Sequence, residues 1–336
     1  MPSLLSCAVP LPDSFRVDEV LGFHGRDKLA VAERIDGNRL HKGLLWDGSA
    51  ACLTLGFSNG RADAELAVDG NSKTPRDALE QLVRRMLGLT QRVEVFENSY
   101  RAHPCIGPLI AGRPGLRVQQ TATPFEALAW AIIGQQISLA AAISVRRRLI
   151  EAVGVRHSSG LACFPDAERL LMLDATALRQ AGLSQTKART LQILSREVVA
   201  DRLPLATWLV TQPIEEIREQ LLSLRGIGPW TVSYALLRGF GWLDGSLHGD
   251  VAVRRQLQRL LGATEKPGED FTRDWLAEFS PWRALVAAHL WSIPSGGAPG
   301  PYSQPPRAAP SDPEIANVPK IDGKNGPANR SREVAG

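Results

Sequence analysis

The chain has 336 residues, 44% of them hydrophobic and 22% charged, with 39 Lys and Arg against 35 Asp and Glu for a net charge of +4. This composition excludes a chain disordered throughout and supplies material for two or three packed units, while the absence of any apolar run near the roughly 18 residues a membrane helix needs excludes a membrane-spanning reading. Cys7, Cys52, Cys105 and Cys163 form no CxxC pair, so spacing writes neither a zinc site nor a four-cysteine cluster.

Met1 to Cys7 is mildly apolar but has no basic leader and too short an apolar core for export, so a cytoplasmic chain is expected, nucleoid-associated if bacterial. From Leu29 to about Val68 the pattern predicts short strands at Leu29-Ala-Val-Ala, Gly43-Leu-Leu-Trp and Ala51-Cys-Leu-Thr-Leu. Asp36-Gly37-Asn38 and Asp47-Gly48 are the turn signals between them. A helix over 75–87 places Leu79, Leu82, Met86 and Leu87 on one face, ready to cover the sheet.

From Pro124 the period becomes helical and stays so. Helices are expected near 125–133, 138–153, 166–172, 174–181, 185–200, 213–223, 229–239, 251–261, 270–278 and 281–291. Arg146, Arg147 and Arg148 read as a solvated basic face or a phosphate contact. The fold class is an α+β N-terminal domain, an antiparallel sheet with a helix over 1–113, followed by an all-α core over 114–294. Residues 295–336 are rich in Pro and Gly, a composition that predicts a disordered tail.

The most informative segment is Arg225-Gly-Ile-Gly-Pro-Trp-Thr, where one helix ends and another opens on Pro229. Gly226 and Gly228 permit a tight turn and close backbone approach. The amides of a helix N-terminus beyond them favour an anion such as a DNA phosphate. An ordinary interhelical turn explains Gly-x-Gly equally well. Asp250 precedes the helical pattern Val251-Ala-Val-Arg-Arg-Gln-Leu and reads as its N-cap, a role compatible with chemistry at the same carboxylate.

In order along the chain, Leu21-Gly-Phe, Arg113-Pro-Gly-Leu-Arg, Phe125-Glu-Ala-Leu through Gly134-Gln-Gln-Ile-Ser, Phe164-Pro, the Arg225 to Thr231 hairpin, Asp250, and Trp282-Arg through His289-Leu-Trp291 resemble one family. It is the DNA-3-methyladenine glycosylase II family, within the helix-hairpin-helix DNA glycosylase superfamily. The resemblance implies base flipping from double-stranded DNA carrying a damaged base, an alkylated purine, and hydrolysis of its bond to the sugar by a monomer. Asp250 is then the catalytic carboxylate, because glycosidic cleavage builds positive charge on the sugar. Trp230 stands where strand-cutting members carry a lysine nucleophile, so no Schiff base and no lyase step are expected.

The resemblance further implies a base pocket of Phe23, Gln135, Trp230, Tyr234 and Trp291, aromatic and uncharged, suited to the cationic ring of an alkylated purine. Taken singly, each aromatic serves a core as readily. DNA-binding residues by the same resemblance are Gln136, Arg225, Gly226, Ile227, Gly228, Trp230 and Thr231. Gln136 stands in the loop that fills the gap left by the flipped base, where some relatives carry leucine. The main-chain carbonyls of Leu222, Leu224 and Ile227 would hold a monovalent or divalent cation, and no cofactor is required. Val251, where a relative has tyrosine, implies a differently shaped pocket; His248 and His289 read as structural. Two alternatives stay open, a glycosylase for oxidised or deaminated bases and a non-catalytic hairpin module that clamps phosphates.

Overall fold

The computed structural model describes residues 2–293; the tail predicted over 295–336 lies outside the described residues. The first unit runs β1 (Ser3–Pro10), α1 (Val17–His24), β2 (Glu33–Asp36), β3 (Arg39–Trp46), β4 (Ser49–Ser58), β5 (Arg61–Val68) and α2 (Arg76–Met86). Its five strands form one antiparallel sheet in the order β1-β5-β4-β3-β2. The register sets Leu53 opposite Leu66 and Leu40 opposite Leu55, so alternate side chains of the central strands fall on one face. Leu79, Leu82, Val83 and Met86 of α2 pack on that face in a shared core.

The predicted turns are where the strands reverse: Gly37, Asp47 and Gly48 all adopt positive φ. Leu29-Ala-Val-Ala is not a strand. There the chain is loop, and its carbonyls serve two neighbours, Val31 accepting the Ala162 amide at 2.9 Å and Ala32 the Gly43 amide at 2.8 Å.

The helices that follow are α3 (Val93–Tyr100), α4 (Gly107–Gly112), α5 (Pro124–Gly134), α6 (Leu139–Val153), α7 (Ala167–Leu171), α8 (Ala175–Gln180), α9 (Gln185–Val199), α10 (Leu205–Thr211), α11 (Ile214–Ser223), α12 (Pro229–Phe240), α13 (Val251–Leu261), α14 (Glu269–Ala277) and α15 (Arg283–Trp291). Thr123, Ser138, Ser184 and Asp250 cap α5, α6, α9 and α13, each accepting an amide of the first turn. Two apolar cores hold these helices, and Trp130 touches both. Val93, Phe96, Ile106 and Ile110 share the second core with Leu257 and Leu285, so α3 and α4 sit with the helical body although they precede Arg113. Among the described residues no helix is long and apolar enough to cross a membrane.

Buried charge joins the sheet to the helices. Lys42 on β3 donates to Glu33 Oε1 at 2.7 Å and Glu126 Oε1 at 2.8 Å, and Arg146 on α6 donates to both Glu33 oxygens at 2.7 and 2.9 Å and to Glu126 at 2.8 Å. Burial alone pushes the Glu33 carboxyl up, but Arg146 and Lys42 outweigh it and hold it far below the usual carboxylate range. Arg147 donates to Asp27 at 2.9 Å, and Arg148 to the Ala181 carbonyl at 2.9 Å. Arg146 and Arg147 are thus not the solvated face or phosphate contact expected of the run: their partners Glu33 and Asp27, in the sheet unit, draw them into the protein. Arg148 stays exposed while bonded to the Ala181 carbonyl.

Candidate active site

Asp250 stands at the N-cap of α13, where its Oδ1 accepts the amides of Ala252 at 2.8 Å and Val253 at 2.9 Å. Two indoles complete its surroundings: Trp230 Nε1 donates to Oδ2 at 2.9 Å and Trp291 Nε1 to Oδ1 at 3.3 Å. A carboxylate offers about four lone-pair directions. Oδ1 therefore has three donors and Oδ2 one, which leaves Oδ2 free to face a substrate or a water. The capping bonds fix the carboxyl, and the half-buried residue remains in reach of solvent.

The aromatic residues gather around this carboxyl. Trp230 and Tyr234, one turn apart on α12, have ring centroids 5.4 Å apart, and Tyr234 lies 6.3 Å from Trp291 on α15. Phe23 of α1, from the sheet unit, joins this group through Arg238, whose guanidinium lies 4.6 Å from the Phe23 ring centre and 5.8 Å from that of Trp291. Four of the five pocket residues expected from sequence meet here. Gln135 does not join them: its amide donates to the Gly226 carbonyl at 3.0 Å and to Thr231 Oγ1 at 2.9 Å, so its side chain belongs to the hairpin. The physical reason is the Gly226 carbonyl, which the turn leaves without a helical partner.

The lining is not uncharged. The Arg26 guanidinium lies 4.0 Å from the Phe23 ring centre and the Arg238 guanidinium 4.6 Å, and Arg238 also stands 5.8 Å from Trp291. Arg238 donates to the Gln119 carbonyl at 2.8 Å and Arg26 to the Phe23 carbonyl at 2.7 Å. Neither has a carboxylate within ion-pair distance among the described residues. Burial lowers both, Arg238 to about 10, with the Tyr234 phenol opposing the shift and the two guanidiniums repelling. A signal for Arg238 was present, since Trp230, Tyr234 and Arg238 recur every four residues on one helical face.

Behind Phe23, Arg26 and Trp130 a cavity of about 50 Å³ reaches Glu33, Glu126 and Arg146 of the buried charge network.

The hairpin lies beside the aromatic cage. Gly226 has φ +93°, and an added Cβ would overlap Thr190 Oγ1, so the turn needs glycine twice over. Gly228 precedes Pro229 at the first position of α12, leaving the amides beyond it exposed to an anion. Arg225 is exposed at the same turn, and Thr231 is buried under it. Of the expected cation-holding carbonyls, Leu224 already accepts the Ile227 amide at 3.1 Å, and Leu222, in the last turn of α11, and Ile227 flank it in sequence. This uncharged oxygen set fits a hard cation better than a transition metal. Among the described residues no cluster of His, Cys, Asp and Glu could hold a metal ion.

The chain matches the model of the HhH-GPD superfamily base excision DNA repair proteins over residues 129–281 and that of the AlkA N-terminal domain over residues 9–123. A curated DNA-3-methyladenine glycosylase of Bacillus subtilis is 23% identical, over 85% of this chain and 96% of its own length. DNA-3-methyladenine glycosylase 2 of Escherichia coli is 31% identical, over 55% of this chain and 63% of its own length. In fold the chain is similar to a solved 3-methyladenine DNA-glycosylase from Archaeoglobus fulgidus, with a TM-score of 0.72, 23% identity, and coverage of 85% of this chain and 97% of that one.

Proposed function

Because the chain belongs to the HhH-GPD superfamily of base excision DNA repair proteins, with an AlkA N-terminal domain before the shared core, we propose that it is a monofunctional DNA glycosylase acting as a monomer on alkylated purines in double-stranded DNA. The observation that carries this reading is the Asp250 carboxyl, fixed between two indoles at the edge of an aromatic cage and beside an anion-binding hairpin. Hydrolysis proceeds through a sugar whose anomeric carbon becomes cationic as the base departs. A fixed carboxylate next to that carbon stabilises the transition state more than the ground state. Oδ2, the less occupied oxygen, faces this charge and orients the attacking water.

Trp230 spends its indole N–H on Asp250 and offers no nucleophile, so the product is a free base and an abasic site. The hairpin grips a phosphate through Gly226 to Thr231 with Arg225 alongside, and Gln136 enters the helix where the base has left. Leu222, Leu224 and Ile227 would hold a cation that screens the phosphate; no step of the bond cleavage is assigned to it. The site of action is wherever the cell keeps its DNA, which supports a cytoplasmic, nucleoid-associated location in a bacterium.

Base release from methylated duplex DNA, with strand cleavage scored separately, tests this reading. Asp250→Asn is expected to lower release by at least about a hundredfold while duplex binding persists; release unchanged in that variant sinks the assignment. Strand cutting without heat or added base refutes the monofunctional reading.

One observation favours a second reading, a glycosylase for deaminated or oxidised bases. Arg26 and Arg238 already lie on Phe23, where they repel a cationic base and donate hydrogen bonds to a carbonyl-bearing neutral one. Parallel assays on 7-methylguanine, hypoxanthine and 8-oxoguanine duplexes separate the two.

A further inference from the structure

Lys187 lies outside the aromatic cage, on the first turn of α9. Its ammonium donates to the Ile133 carbonyl at 2.8 Å and the Gln135 carbonyl at 2.7 Å, where α5 ends. Carbonyls at a helix C-terminus lack intrahelical partners and carry the negative end of its dipole, so a lysine supplied from another helix both satisfies and neutralises them. No carboxylate lies within ion-pair distance of Lys187 among the described residues. Immediately past these carbonyls the chain reverses through Gln136, at φ +55°, into α6. Gln136 is exposed, and the two large apolar residues after it, Ile137 and Leu139, are 39% and 55% exposed.

The same helix also holds the hairpin. Thr190, one turn beyond Lys187, shares its hydroxyl proton between the Thr186 carbonyl at 3.0 Å and the Arg225 carbonyl at 3.2 Å, and fills the space beside Gly226. The Gln135 amide closes the circuit by donating to the Gly226 carbonyl. Three links thus join α9 to the loop, the loop to the hairpin, and the hairpin to α9. Only the link through Lys187 carries a charge.

We propose that Lys187 is a positioning residue for base flipping: its ammonium fixes the height of the exposed Gln136–Ile137 turn relative to the phosphate-gripping hairpin, so that gripping the backbone sets the depth to which the turn enters the duplex. The proposal rests on the glycosylase reading and deepens it. Without the ammonium, the two carbonyls at the end of α5 lose their donor, and the turn that leads away from them loses its fixed direction. An unpaired lesion needs less filling of the stack than a paired one. The loss is therefore specific to paired substrates.

The test is single-turnover release of 7-methylguanine from two duplexes, one with the lesion paired to cytosine and one with it in a single-nucleotide bulge. In Lys187→Met the paired rate is expected to fall about tenfold and the bulged rate less than about twofold, with Lys187→Arg, which keeps a charge and N–H donors, intermediate on the paired duplex. Equal losses on both duplexes, or no loss on the paired one, overturn the role of Lys187 while leaving the glycosylase standing. Should Lys187→Met not fold, the same comparison in Lys187→Arg decides: a deficit confined to the paired duplex supports the role, and equal rates or equal deficits overturn it. A wild-type chain that releases base from neither duplex overturns the glycosylase reading, and this role with it.

Discussion

Around Phe23 the protein handles charge in two opposite ways. Glu33, Glu126, Lys42 and Arg146 are buried and mutually paired, with every distance between 2.7 and 2.9 Å. Arg26 and Arg238 are instead stacked on aromatic rings, with no carboxylate within ion-pair distance among the described residues. The first arrangement is closed in that each charge finds its partner within it, and it ties β2 and β3 to α5 and α6. The second is open only in that its guanidiniums have carbonyl and ring partners but no paired acid, a composition that marks a candidate ligand site.

The strongest way to break this contrast is to unbalance the closed cluster. Glu33→Gln removes the charge that faces both cations, and breaking a buried pair in this way is expected to cost about 3–5 kcal/mol, read as a lowered urea midpoint. Acid does the same without mutation. The Glu33 carboxyl titrates far below its ordinary 4.5 when folded, so the stability it adds is whole above that value and drains as the pH falls toward the folded one. The urea midpoint of the wild type should drop below about pH 4.5, and that part of the drop should be missing in Glu33→Gln.

A middle-sized effect comes from His289, fully buried at the back of the second core, where burial and the Arg113 charge bring it from 6.5 to about 4. Between those values the unfolded chain takes up a proton that the folded one refuses, so stability declines as the pH falls through the window. A melting temperature flat between pH 6.5 and 4 contradicts this. The smallest effect on stability belongs to the open side: Arg238→Gln should change the urea midpoint by less than about 1 kcal/mol equivalent, yet raise the release of 7-methylguanine relative to hypoxanthine several-fold. A ratio left unmoved would mean that the two guanidiniums do not face the base.

How much of this could be read in the sequence follows from how local each feature is. The helices from Pro124 onward are legible because their apolar period is local, and the structure adds caps such as Thr123, Ser138 and Ser184, which act within three residues of where they stand. Asp250 was legible for the same reason, as a cap with a family pattern around it. The edge strand β1 was not, since only Val9 of its eight residues is fully buried and its residue types, Ser-Leu-Leu-Ser-Cys-Ala-Val-Pro, do not alternate although their burial does. The Arg146 run was misread because its partner Glu33 is 113 residues away, and no local pattern distinguishes a buried arginine from a solvated one. Arg26 differs: its contact with Phe23 spans only three residues, but its approach to the helical unit depends on where α1 lands, which no local pattern shows.

Phe23 is supplied by the sheet unit, whereas Trp230, Tyr234, Trp291 and Asp250 all ride on the helical one. The aromatic cage is therefore assembled from two units, and under the proposed function a substitution in the ionic joint of Glu33, Lys42, Glu126 and Arg146 is expected to alter lesion preference without touching DNA.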